Sequence, residues 1–375
     1  MQKEYIGRYS LKRIRDIIDE LHAEKIMLVT GKKSFSASGA KSILDSLLKK
    51  KNIIKFNNFE INPKLEDAYF GIELIRQEKP DLILAIGGGS VIDMAKLINI
   101  LAAQIEHTAL EVINDSSFIY NKGLHLVAIP TTAGTGSEAT HFSVVYVDNK
   151  KYSLAHKFML PDYAIVDSSL TYNLPKNIAA SSAMDALSQA VESYWAIGST
   201  DESKKYAKHS IEVILQSIEA AVIEMDTHAK DLMSIGSNLS GKAINISKTT
   251  AAHAISYPIT TYFNVPHGHA VALMLGNFFI LNYNRKGKRV LDPRGKDYLD
   301  AVMNDLFKMF GCSSAKCCYD RWYELMELVG LSADLSCLDI RDARDIELII
   351  ENINIERMSN NPTIIDGGII SSLFK

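Results

Sequence analysis

Asp81-Leu82-Ile83-Leu84-Ala85-Ile86-Gly87-Gly88-Gly89-Ser90 is an unbroken apolar run that ends in three glycines. A run of this length without polar alternation reads as a strand buried on both faces, the mark of a parallel sheet. Glycines at its end let backbone N–H groups approach a ligand with no Cβ in the way. A helix follows from Ser90, and a helix N-terminus favours an anion. The segment reads as strand, phosphate-type loop and helix, with pyrophosphate as the natural ligand. It is not the G-x-G-x-x-G fingerprint. Taken alone, the triplet fits a tight strand-to-helix turn without a ligand equally well.

The same alternation extends in both directions. Ile14, Ile17, Ile18 and Leu21 predict a helix over 12–23, and Lys25 to Gly31 a buried strand. A helix over 40–50, a strand from Ile53 to Phe56 and a helix from Leu65 to Gln77 follow. Leu124 to Ile129 predicts a further strand. It runs into a second small, donor-rich loop, Pro130-Thr131-Thr132-Ala133-Gly134-Thr135-Gly136-Ser137-Glu138. Two such loops at one edge of a parallel sheet can flank a dinucleotide. After Val166-Asp167 strand-like runs stop. Helical periods take over at 177–196, 203–225, 228–246, 248–257, 266–283, 296–310 and 315–329. The expected fold is an α/β dinucleotide-binding domain with a parallel sheet over 1–172, joined near Leu174-Pro175 to an all-α domain over 173–375.

Composition agrees with a soluble globular protein. The 375 residues suffice for two domains, and the net charge of -3 argues against nucleic acid or an anionic membrane as partner. The longest apolar segment, 271–281, falls far short of the roughly 20 residues that span a bilayer. Cys312, Cys317, Cys318 and Cys337 match no zinc spacing and are expected to be reduced thiols. The N-terminus has no apolar signal core, so a cytoplasmic location is expected.

Several motifs in a fixed order resemble the iron-containing (group III) alcohol dehydrogenase family. They are Asn62-Pro63, Gly87 to Lys96, Pro130 to Glu138, Leu160-Pro161-Asp162 with Val166-Asp167, Met184-Asp185-Ala186-Leu187, and Pro266-His267-Gly268. The resemblance covers nearly the whole chain and implies the fold shared with dehydroquinate synthase. It also implies a metal and a nicotinamide meeting between the two domains, and a homodimer. By position it assigns Gly88, Gly89 and Ser90 to the pyrophosphate, with Asp93 in the helix that follows. Thr131, Thr132 and Thr135 go to the cofactor and Asn62 to its adenosine half. Where many members carry an Asp that binds the ribose 2′-hydroxyl, this chain has Gly31, followed by Lys32 and Lys33. Loss of that carboxylate favours NADP(H), although NAD(H) remains open.

The resemblance places a divalent metal, Fe²⁺ or Zn²⁺, on Asp185, Gln189, His253 and His267. Gln189 stands where the family has a histidine, and a carboxamide is a weaker donor than imidazole. Either Asp185, His253 and His267 form a three-ligand centre with an open position, or the metal is lost and they line a polar pocket. Tyr257 stands where the family has a further histidine and is a candidate proton relay, with His267 and Lys248 as other catalytic candidates. Asp185 to Trp195, His253 to Pro258 and Ser359-Asn360-Asn361-Pro362 are similar to a subgroup containing phosphonoacetaldehyde reductases and 3-deoxy-octulosonate oxidases. The expected substrate is a small anionic aldehyde or alcohol, with Lys248, His269 and His141 as its cationic partners, and His156 and Arg357 as further candidates. Oxidation of a sugar acid, a dehydroquinate synthase-like lyase and a non-catalytic binding relative are the alternatives.

Overall fold

The computed structural model describes residues 2–148, 150–284 and 289–374, without the side chains of Glu356 and Arg357. Its two compact units are Met1–Leu174 and Pro175–Lys375. In the first, the strands are β1 (Lys3–Ile6), β2 (Lys25–Thr30), β3 (Asn52–Phe56), β4 (Leu82–Gly87), β5 (His125–Pro130), β6 (Phe142–Val147), β7 (Lys150–Ala155) and β8 (Tyr163–Val166). Six of them form one parallel sheet in the order β1-β8-β5-β4-β2-β3. The other two, β6 and β7, pair antiparallel as a hairpin.

Alternate residues of the central strands feed two cores. Met27, Val29, Ile83, Ala85 and Ala128 pack with α3 (Leu65–Glu78) and α4 (Gly89–Ala103). Ile26, Leu28, Leu84, Ile86 and Val127 pack on the other face with α1 (Ile14–Leu21) and α2 (Ala40–Leu47). Helices on both faces are why β4 is buried at every position and shows no polar alternation. Each such aliphatic side chain contributes roughly 1.5–3 kcal/mol by leaving water.

Strand order reverses between β2 and β4, and ligands of open α/β sheets bind outside the carboxyl ends at such a point. Thr30 lies opposite Ile86 and Gly87 opposite Pro130. The turns beginning at Gly31, Gly88 and Thr131 therefore leave the sheet side by side.

The edge strand β1, the β6–β7 hairpin and β8 are not marked by the periodicity that predicts the others. The first and last have four residues each, too short for a period to emerge. The hairpin lies outside the main sheet, and its polar residues follow no strict alternation.

The second unit is helical: α5 (Lys176–Trp195), α6 (Asp201–Glu219), α7 (Thr227–Ser247), α8 (Ala251–Phe263), α9 (His267–Asn284), α10 (Lys296–Met309) and α11 (Ala315–Leu328). Helix α5 is packed by α6, α7 and α9, so from Ala180 to Trp195 all but Ser182 is buried. A helix enclosed in this way shows little amphipathic contrast.

The segment expected over 248–257 instead starts at Ala251 and ends at Phe263. Lys248 sits at φ 62° and ends α7. The Asn360 amide holds the turn by donating to the Ser247 and Thr249 carbonyls at 2.8 and 2.9 Å. Pro258 does not stop α8, because its ring is buried alongside Ile255 and Ile259, and packing outweighs the lost N–H bond. Among the described residues, no helix is long and apolar enough to cross a membrane.

Candidate active site

The carboxyl edge of the sheet is shaped for a phosphate-bearing ligand. Gly88 precedes α4 with no side chain capping the helix, and its carbonyl accepts the Val91 N–H at 3.0 Å, so the Gly89 and Ser90 N–H groups that open the helix are placed for an anion. A Cβ on Gly89 would stand 2.7 Å from Thr135 Cγ2 and Oγ1, and one on Gly87 2.5 Å from Val91 Cγ2. Glycine thus lets the loop after β4 pack directly on the loop after β5. Thr131 donates its N–H to the Gly87 carbonyl at 2.9 Å. The residue is 1% exposed, and its hydroxyl has no hydrogen-bond partner. A buried hydroxyl left this way costs free energy unless a ligand completes it. Asn62, at φ 64°, donates its N–H to Ser90 Oγ at 3.2 Å, which joins two expected cofactor residues. Thr132 lies nearby: a Cβ on Gly88 would sit 3.6 Å from its side chain. These residues fit a dinucleotide.

Asp93 lies in α4, the helix that follows the first loop. Its carboxylate accepts from Ser137 Oγ at 2.5 Å and Val144 N–H at 3.1 Å, fixing the second loop and the hairpin to α4. Lys96, one turn on and buried, donates to Ser137 Oγ, Thr140 Oγ1 and the Thr140 and Phe142 carbonyls at 2.7 to 3.2 Å. Burial pushes Lys96 down to about 8 and Asp93 up. The pair braces the loop from behind. Lys32, the basic residue expected near the ribose 2′ position, pairs with Glu60 at 3.4 Å in an exposed contact.

In the helical unit, Asp185 on α5, His253 on α8 and His267 at the start of α9 converge. One ligand atom from each lies within 4.8 Å of the others. Gly268 makes this approach possible: a Cβ there would stand 2.0 Å from the Ser181 carbonyl and 2.7 Å from Asp185 Cβ. Nε2 of His253 is 3.4 Å from Oδ1 of Asp185, and that buried oxygen has no hydrogen-bond partner. Two ligands bound at about 2.0–2.2 Å to a tetrahedral ion stand roughly 3.3–3.6 Å apart. Donor set, spacing and orphaned oxygen all fit a divalent metal. Burial raises the Asp185 carboxyl, but the neighbouring imidazoles of His253 and His267, with Gln189, bring it below its ordinary value.

Gln189, four residues after Asp185, is buried, and Ser240 Oγ donates to its Oε1 at 3.1 Å. Tyr257 stacks on His267 with ring centroids 5.8 Å apart and planes 15° from parallel. Lys248 is exposed at the end of α7. His269 departs from its expected role as a substrate cation. It is buried, with Nε2 2.7 Å from the Ser332 carbonyl, and burial lowers its pKa, so it is a neutral tie. His141 is half-buried and edge-on to Phe142 in the first unit. There too, His156 Nδ1 accepts the Phe158 N–H at 3.3 Å. The Arg357 side chain lies outside the described residues.

Sequence reading passed over Glu192. It is fully buried, and its Oε2 accepts from His253 Nδ1. Its Oε1 accepts from Thr250 Oγ1 at 2.7 Å, Ala252 N–H at 2.9 Å and His253 N–H at 3.3 Å. The spacing showed its face but not its role: Asp185, Gln189 and Glu192 fall at i, i+4 and i+7, one face of one helix.

Comparison with known proteins gives the relatives of the chain. A long-chain-alcohol dehydrogenase of Geobacillus thermodenitrificans is 34% identical over 235 residues, 61% of this chain and 59% of that enzyme. The chain spans less of other relatives, such as 36% of a bacterial aldehyde-alcohol dehydrogenase. A phosphonoacetaldehyde reductase of Streptomyces viridochromogenes is 29% identical over 78% of this chain and 75% of its own length. The crystal structure of a sulfoacetaldehyde reductase from Bifidobacterium kashiwanohense, in complex with NAD+, superposes with a TM-score of 0.87. It is 26% identical and covers 100% of this chain and 96% of its own. The family model for iron-containing alcohol dehydrogenase matches residues 2–168, and that for the family's C-terminal region matches 179–375. With both halves matched in order, the chain belongs to the iron-containing alcohol dehydrogenase family.

Proposed function

We propose that the protein is a metal-dependent NAD(P)H aldehyde reductase whose substrate is a small anionic aldehyde of the phosphonoacetaldehyde class. The observation that carries the reading is the convergence of Asp185, His253 and His267, with the Asp185 oxygen left without a partner. Asp185, His253 and His267 would hold the ion, which supplies Lewis-acid polarisation of a carbonyl oxygen. The dihydronicotinamide supplies the hydride. The protein's own part is placement. The open N–H groups at Gly89 and Ser90, with the Thr131 hydroxyl, would hold the pyrophosphate, and Thr132 and Thr135 line its loop. Tyr257, stacked on His267, is the proton donor that completes the alcohol. Gln189 is engaged by Ser240 and steadies Asp185.

Two features support an anionic substrate. Two of the relatives act on two-carbon aldehydes that carry a phosphonate or a sulfonate. Lys248 is exposed five residues before His253. Absence of a carboxylate at Gly31, with Lys32 and Lys33 beside it, supports acceptance of NADP(H) as well as NAD(H).

The test is oxidation of NADPH and NADH by the purified protein with phosphonoacetaldehyde, against a neutral aldehyde of similar size, with and without Fe²⁺ or Zn²⁺. Preference for the anionic aldehyde, weakened through KM by Lys248→Met, is expected. Equal use of both aldehydes rejects the substrate class. Activity unaffected by rigorous metal removal rejects the metal.

A further inference from the structure

Helix α8 begins at Ala251, and its own N-cap residue, Thr250, makes no capping bond to the first turn. The N–H groups of Ala252 and His253, at N2 and N3, are the ones an N-cap side chain ordinarily satisfies. Here both donate to a single oxygen from another helix, Oε1 of Glu192. That oxygen also accepts from the Thr250 hydroxyl, which in turn accepts from Trp195 Nε1 at 3.0 Å. A carboxylate at this point also meets the positive end of the helix dipole. The second oxygen of Glu192 accepts from Nδ1 of His253.

One buried carboxylate thus does two things to one histidine. It fixes the backbone from which His253 projects, and it fixes the ring. With Nδ1–H donated to Glu192, the other nitrogen, Nε2, faces Asp185 at 3.4 Å. No rotation of the ring keeps both contacts. Glu192 itself lies three residues past Gln189 on α5, whose earlier residue Asp185 is the facing ligand. The same rigid helix therefore carries a ligand and the group that aims its partner.

We propose that Glu192 is the positioning residue of the metal centre, holding His253 with Nδ1 protonated and Nε2 presented to the ion. This rests on the metal reading given above. It explains why an acidic residue is tolerated at full burial: all its contacts are donors, and the ion would offset its charge through the imidazole. It also distinguishes Glu192 from Gln189, whose carboxamide oxygen accepts from Ser240 Oγ.

Zn²⁺ competition against a chromogenic chelator, on wild type and Glu192→Gln, tests this. The amide keeps the shape and can still cap α8 with its oxygen, but its NH2 opposes Nδ1–H and favours the tautomer that cannot bind through Nε2. Zn²⁺ affinity is expected to fall roughly 10- to 100-fold, with the helical signal of the metal-free protein retained. Equal affinity in the two proteins overturns the proposal while leaving the metal reading intact. Wild type that takes up no Zn²⁺ overturns the metal reading, and this one with it. Should Glu192→Gln not fold, heteronuclear NMR of the Zn²⁺-loaded wild type decides. A strongly deshielded ring proton on Nδ1 of His253 is expected, and coordination through Nδ1 overturns the assignment.

Discussion

Nε2 of His253 and Oδ1 of Asp185 face one another at 3.4 Å inside the helical unit, and the oxygen accepts no hydrogen bond. With Nδ1 already engaged by Glu192, a neutral His253 would set two lone pairs against each other. Only a cation between them, a proton or a metal, removes the repulsion. Burial alone lowers the imidazole pKa, but Glu192 and Asp185 outweigh it and raise it to about 10. The metal-free site therefore stores a proton where the ion would sit.

Metal affinity should rise with pH as a consequence. The folded value lies above the ordinary 6.5, so at neutral pH the metal must displace a proton from His253. Apparent affinity then increases about tenfold per pH unit until the folded pKa is approached. The same shift stabilises the metal-free fold fully below 6.5, and that contribution is lost as pH rises through about 10. Calorimetry of Zn²⁺ binding in buffers of different ionisation enthalpy should show close to one proton released. Zero release would mean the site is proton-free.

Gly268→Ala should cost both stability and metal. The added Cβ would meet the Ser181 backbone carbonyl at 2.0 Å and Asp185 Cβ at 2.7 Å. Neither is the end of a flexible side chain, so α9 must move away from α5. Overpacking of this kind costs roughly 1–3 kcal/mol. Because the movement carries His267 away from Asp185, metal content after purification should fall as well. A variant with a lower melting temperature but full metal content would show that α9 shifts without displacing its ligand.

Tyr257→Phe separates proton donation from packing. The ring stack on His267 survives the change, whereas the hydroxyl is lost. If Tyr257 gives the proton, kcat should drop on the order of 10²- to 10⁴-fold, with metal content and cofactor affinity unchanged. A drop of less than twofold would assign the proton to another group, such as a cofactor hydroxyl or solvent.

Much of this was legible in the sequence because it rests on local patterns. The run from Asp81 to Gly89 fixes a strand buried on both faces, and its glycines place the loop. The i, i+4 spacing of Asp185 and Gln189 marks one helix face. Other features depend on residues far apart in the chain. Asp93 lies in the helix after the first loop, yet its carboxylate is engaged by Ser137 and Val144, more than forty residues on. His269 follows a ligand by two residues, but a helix rotates its side chain to the opposite side, towards Ser332. Glu192 shows its role only when Thr250 and Ala252 are brought to it. The continuation of α8 through Pro258 is likewise a tertiary effect that the local rule opposes.

Gly31 offers the sharpest test of cofactor choice. It stands directly after β2, where strand order reverses, and a Cβ there meets only the Ser34 hydroxyl within 3.0 Å. That hydroxyl is the end of a rotatable side chain, so the position accepts a larger residue. Gly31→Asp would introduce a carboxylate able to accept from a ribose 2′-hydroxyl and to repel a 2′-phosphate. The exposed pair of Lys32 with Glu60 should be worth little, about 0–1 kcal/mol, so it will not mask the effect. The ratio of kcat/KM for NADH over NADPH should rise by on the order of tenfold or more, about 1.4 kcal/mol, chiefly through loss of NADPH. An unchanged ratio would mean that the 2′ position of the ribose is read elsewhere than at the end of β2, and that the basic pair at Lys32 and Lys33 has no part in it.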